Sequence, residues 1–293
     1  MSELPGNRAI TLRNATCAYC GIDLARAKST KEHVIGRRFV PKGNLDGSWN
    51  LIVNACEPCN HRKGKLENYI SAVTLYTGVW SGRYDRDSAL FREANRKARS
   101  AISPLTRKPV AESEQRVKVS ASLAPGLTMT LNLNAPPQLD AARMFELARL
   151  QLMAFFYYVT FDPRARLGRF WRGAFIPILE AQQANWGNAT HRVFMDSVVD
   201  WEPRFLGFAA EDHFAVIIRR HPSAVCWSWA LEWNKQYRLI GLFGETEPAH
   251  AFLKELPRPK INVLGQRGPD WFGICPDVPL GENRDRLFEW QSD

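Results

Sequence analysis

Along the chain the spacing of apolar residues changes character more than once. Between 60 and 76, Leu66, Tyr69, Ile70, Val73 and Leu75 fall near one face of a 3.6-residue repeat, which predicts a helix. A second helix is expected over 85–101, DRDSALFREANRKARSA, where Arg92, Arg96 and Arg99 recur every three or four residues. That spacing suits a face that tracks phosphates, and it equally suits a helix surface open to water. From Gln115, QRVKVSASLAPGLTMTLNLNA alternates apolar and polar residues around a Pro-Gly pair and reads as a β-hairpin. Residues 138–161 and 170–184 read as helices, the first rich enough in Leu, Met and Phe to be largely buried. Residues 204–243 suggest three or four antiparallel strands. Within them Trp227, Trp229, Leu231 and Trp233 alternate and therefore share a face. Such a row can stack on bases or line a pocket; sheet core packed under helices is the commoner use.

These elements define an α+β chain. SPLTRKPVAESEQR, 103–116, has two prolines and few apolar residues and is expected to be a linker. It would separate a domain over 1–102 from a larger α+β domain with an antiparallel sheet over 117–293. A length of 293 residues, 45% hydrophobic and 24% charged, is that of a folded soluble protein with a sizeable core. No stretch approaches the ~20 apolar residues that span a bilayer, so no membrane partner is expected. The opening MSELPGNRAI lacks the charged-then-apolar layout of a secretory signal, so a cytoplasmic, reducing compartment is expected.

Charge sharpens the division. The net charge is +9, but residues 1–110 hold 19 Lys/Arg against 9 Asp/Glu, and the rest hold 20 against 21. The basic excess therefore lies in the N-terminal part, where it suits a polyanion such as nucleic acid or serves as a solubilising surface.

The cysteines lie at 17, 20, 56, 59, 226 and 275. Cys17, Cys20, Cys56 and Cys59 form two CxxC pairs, and four thiolates complete a tetrahedral zinc shell with no position left for substrate, so the site is structural. Cys226, within VCWSWALEW, reads as a small apolar residue in a strand.

The material around the knuckles, CAYCGIDLARAKSTKEHVIGRRFVPKGNLDGSWNLIVNACEPCNHRKGK, carries further chemistry. KEHV sets Glu32 beside His33; Asn50 opens the apolar run NLIV; Asn60 follows Cys59; and Lys63 and Gly64 complete a CNxxKG pattern. Over residues 15–75 this order resembles the HNH family of ββα-metal endonucleases. The resemblance implies a small ββα-metal, treble-clef-like zinc domain in which His33 removes a proton from water and Asn50 orients that histidine. Glu32 and Asn60 would hold one Mg²⁺ or Mn²⁺, with His61 the second choice to Asn60. Arg37, Arg38, Arg62, Lys63 and Lys65 would contact phosphates. The implied substrate is nucleic acid, with double-stranded DNA the usual one, and defence against foreign DNA is a setting that would suit such an enzyme. The C-terminal domain would then sense a signal, recruit a protein partner or form a homo-oligomer. Two positions depart from the family pattern. Gly36 stands where a proline is frequent, and Asn50 precedes Cys56 by six residues where about five is usual, which makes Asn54 a rival for the orienting role. Asn60 also suits a helix cap. A non-catalytic zinc module that binds nucleic acid or protein would retain the clip and the basic excess.

Overall fold

The computed structural model describes residues 8–124, 127–267 and 270–290. In the N-terminal part, β1 (Ile10–Thr11), β2 (Ser29–His33) and β3 (Leu51–Cys56) form a three-stranded sheet in the order β1-β3-β2. β2 runs antiparallel to β3, and β1 parallel to it. α1 (Glu57–Trp80) leaves directly from the end of β3, with Pro58 in its first turn, where a missing N–H costs nothing. α2 (Ala89–Ser100) follows, started by Ser88, whose hydroxyl accepts the Phe91 N–H at 3.1 Å.

The expected hairpin is present as β4 (Gln115–Ala124) and β5 (Leu127–Ala135), an antiparallel pair; its Pro-Gly turn at 125–126 lies outside the described residues. α3 (Ala141–Val159) occupies the expected apolar stretch and is capped by Asp140. The helix expected over 170–184 is instead a strand, β6 (Ala174–Gln182). Pro177 gives the reason: it would break a helix at its centre, yet an edge strand tolerates it. β6 is such an edge, and Pro177 lies beside the bulge that interrupts its pairing.

After α4 (Ala189–Val198) come β7 (Glu202–Ala209), β8 (Phe214–Arg220), β9 (Cys226–Trp233) and β10 (Tyr237–Gly244). They join β6 in an antiparallel five-stranded sheet of order β6-β10-β9-β8-β7. α5 (Thr246–Glu255) and the hairpin of β11 (Asn262–Arg267) and β12 (Asp270–Ile274) complete an α+β fold. Among the described residues no helix is long and apolar enough to cross a membrane.

The tryptophan row of β9 is core. Trp229, Leu231 and Trp233 are buried, and the half-buried Trp227 stands edge-on to Phe156 of α3 at 5.1 Å. The Trp233 indole N–H donates to Gln151 at 3.1 Å, so even its polar atom is occupied. Cys226 is buried, as its apolar neighbours imply.

That core does not stop at the expected domain boundary. Phe39 meets Trp233 edge to face at 5.4 Å, and Trp49 packs on Phe155 and Phe205. Asn234 donates to the Phe39 carbonyl and to Thr74, and Thr77 shares a hydrogen bond with the Tyr237 hydroxyl at 3.1 Å. One buried cluster holds residues from Leu12 to Phe243. The expected linker is correspondingly folded. Val110 is fully buried, donates its N–H to Ala101 at 2.9 Å and opens a short 3₁₀ turn, while Ser103 and Ser113 are also buried.

Candidate metal centre and the cavity beside His33

Two chain turns present the four cysteines. Gly21, with a φ of 75°, closes the first knuckle by donating its N–H to the Cys17 carbonyl, a backbone shape that glycine adopts without strain. The second knuckle sits where β3 becomes α1: Cys56 is the N-cap and Cys59 lies in the first helical turn. All four sulfurs lie within 4.8 Å of one another, and those of Cys20 and Cys56 are 3.7 Å apart. Zn–S bonds of ~2.3 Å set tetrahedrally place sulfurs ~3.8 Å apart, so the cluster could hold zinc with little movement. Burial pushes the Cys17 thiol up to about 11, so metal capture at neutral pH would expel protons.

The same strands and helix form a cavity of about 390 Å³ lined by Glu32, His33, Arg37, Arg38, Gly64 and Glu67, with Gly36 and Asn68 completing it. His33 ends β2 opposite Ile52. Asn50 holds the backbone two residues beyond it: its amide oxygen accepts the Ile35 N–H at 3.1 Å and its amide nitrogen donates to the Ile35 carbonyl at 2.7 Å. It thus fixes the turn that leaves His33 and makes no direct bond to the ring. Asn54, its rival, is tied to Asn14 on the far side of β3. The Arg37 guanidinium lies 3.3 Å from His33 Nε2, and an N–H donated there requires that nitrogen to be unprotonated. Burial first, then the Arg37 charge, pushes the His33 pKa below its usual value, which favours the neutral ring.

Beneath His33 lies a buried ionic cluster that the sequence reading did not anticipate. Lys63, expected to meet phosphates, is fully buried. Its ammonium bonds to Glu32 at 2.6 Å, to Glu67 at 2.6 Å and to the His33 carbonyl at 3.0 Å. Burial alone would lower the Lys63 pKa, but the two carboxylates outweigh it and raise it, keeping the ammonium charged. Glu67 in turn accepts the Gly36 N–H at 3.0 Å, and its carboxylate fills the space that a side chain on residue 36 would need. A side chain there would have to push that carboxylate away from Lys63, and a proline could not donate the bond. The signal for Glu67 was present in its i,i+4 spacing from Lys63 on a helix. Lys63→Met should cost about 3–5 kcal/mol of stability, because it leaves two buried carboxylates without their cation. A denaturant midpoint close to that of the wild type would refute this role.

The remaining expected site residues are distributed around the cavity. Asn60 stands one turn of α1 before Gly64 and is not among the residues lining the cavity; its amide nitrogen donates to the Thr30 hydroxyl at 2.7 Å. It is the fourth residue of α1 and so does not cap the helix. His61 and Lys65 are exposed on α1, while Arg62 pairs with Glu146 of α3. Arg37 and Arg38 are exposed at the cavity mouth. In comparisons with known proteins, no family model, curated protein or solved structure matches the chain.

Proposed function

We propose that the His33 cavity is the active site of an endonuclease that hydrolyses phosphodiester bonds, with double-stranded DNA as substrate. One observation carries this reading: a neutral-favouring imidazole, a carboxylate and two exposed arginines converge on one cavity, on a ββα frame clipped by four cysteines. His33 takes a proton from the attacking water. Arg37, now beside Nε2, turns to a phosphate oxygen of the bound substrate and frees that nitrogen. Asn50 keeps the ring in place through the Ile35 backbone. Arg38 adds positive charge at the mouth.

Glu32 and Asn60 carry oxygens of the kind a hard divalent cation takes, although Asn60 does not line the cavity and Glu32 is bonded to Lys63. Glu32 offers carboxylate oxygen at the cavity wall, and the Asn60 amide oxygen remains as an acceptor while its nitrogen bonds Thr30. A Mg²⁺ or Mn²⁺ held by Glu32 and Asn60 would supply charge neutralisation at the phosphate and leaving oxygen. Glu67, which also lines the cavity, keeps Lys63 in place when Glu32 is shared.

A second reading, a zinc module that binds nucleic acid without cutting it, is favoured by the Lys63–Glu32 bond, which already gives Glu32 a cationic partner. Plasmid incubated with purified protein and Mg²⁺ or Mn²⁺ separates the two. Nicking or cutting that chelation abolishes supports the nuclease; binding with no cutting across both metals supports the module.

A further inference from the structure

We propose that the outer face of α2 is a binding surface for the sugar–phosphate backbone of duplex DNA, continuous with the His33 cavity. The inference rests on the proposed function, since it names a second surface touched by the same substrate.

α2 carries charge on two faces with different fates. On the inner face, Lys97 is buried, pairs with Glu93 at 3.4 Å, and donates to the carbonyls of Arg38 at 2.6 Å and Val40 at 3.3 Å. Glu93 also accepts the Lys42 N–H at 2.9 Å. These bonds consume the inner charges and pin α2 to the turn that follows His33 and carries Arg37 and Arg38. The outer face differs. Arg92, Arg96 and Arg99, at i, i+4 and i+7, are all exposed, and with Arg86, Phe91 and Asn95 they line an open groove of about 630 Å³. No carboxylate lines that groove.

Spacing and chemistry both fit a phosphate strand. Seven residues of helix advance ~10 Å. Measured along the axis of a duplex, that distance corresponds to about three steps of ~3.4 Å rise. A guanidinium fork suits phosphate oxygens, Asn95 adds a polar side chain, and the half-buried Phe91 offers an apolar edge to the sugars. Continuity with the active site follows from Lys97. Its ammonium donates to the Arg38 carbonyl at 2.6 Å, and Arg38 itself lines the His33 cavity.

The test uses the full chain and a labelled 20-base-pair duplex in EDTA, where no cutting occurs, with binding measured by anisotropy across a KCl series. The triple variant Arg92→Gln, Arg96→Gln, Arg99→Gln removes three exposed charges; a control variant, Arg164→Gln, Arg220→Gln, Lys254→Gln, removes three others outside the groove. Equal melting temperatures exclude misfolding. The α2 variant is expected to bind at least tenfold more weakly at 100 mM KCl, with the slope of log K against log [KCl] reduced by about 2–3, while the control matches the wild type. The proposal is overturned if the α2 variant keeps the wild-type affinity and slope, if the control loses as much, or if the wild type does not bind the duplex. Adding Mg²⁺ or Mn²⁺ then judges the nuclease reading separately. Binding lost in the α2 variant without cutting by the wild type upholds the surface and sinks the nuclease. Cutting with unchanged binding does the reverse.

Discussion

Cys56→Ser should strip zinc from the protein and melt the chain as a unit. Structural zinc sites in small domains are worth ~10–16 kcal/mol, and a serine hydroxyl does not replace a thiolate ligand, so even a weakened site should cost ~5 kcal/mol or more. For a chain of this size that corresponds to a drop in melting temperature of roughly 10–20 °C. The loss should not stay in the N-terminal sheet. Cys17 and Cys56 belong to the same buried cluster as Phe39, Trp49, Trp229 and Trp233, so loosening the knuckles uncovers core on both sides of residues 103–116. Metal analysis and calorimetry on the same sample check this. One zinc per chain in the mutant with an unchanged melting curve would remove the metal centre from the fold.

His33→Ala should lower phosphodiester cleavage by about 10²–10⁴-fold, the range for losing a general base, while leaving duplex affinity in EDTA nearly unchanged. The ring is only half-buried at the end of β2, so the protein should still fold. Arg37 loses a neighbour in this variant but keeps its charge at the cavity mouth. Cleavage by the variant at the wild-type rate, with both proteins sensitive to chelation, would place the base elsewhere.

How far these features could be read in advance depended on how local their causes are. The two CxxC pairs announce themselves because each turn is a short-range event, and the β4–β5 hairpin and α3 follow from periodicity alone. The run 170–184 misled because its apolar spacing fits a helix as well as a strand, and only Gly173 and Pro177 argued otherwise. The folded state of 103–116 was hidden, since proline-rich composition says nothing of what Val110 packs against. Around the cavity, the neighbours Glu32 and His33 both line it and Asn50 holds the Ile35 backbone behind it, but the burial of Lys63 had no sign in the sequence pattern. A lysine flanked by Arg62 and Lys65 looks like surface until the helix phase places it over Glu32, with Glu67 one turn beyond. Asn60 shows the same limit from the other side, because its neighbour Thr30 is set by strand pairing and not by sequence spacing.

The contacts of Phe39 with Trp233 and of Trp49 with Phe205 also bear on how the protein is made. The ribosome must add about 190 residues after Phe39 before its partner exists, which takes roughly 10–40 s at typical synthesis rates. During that interval Phe39 and Trp49 of the nascent segment lack the late aromatic partners that bury them. Its knuckles, both complete by Cys59, can already be loaded with metal, so ion capture would hold the early segment in shape until the late strands emerge.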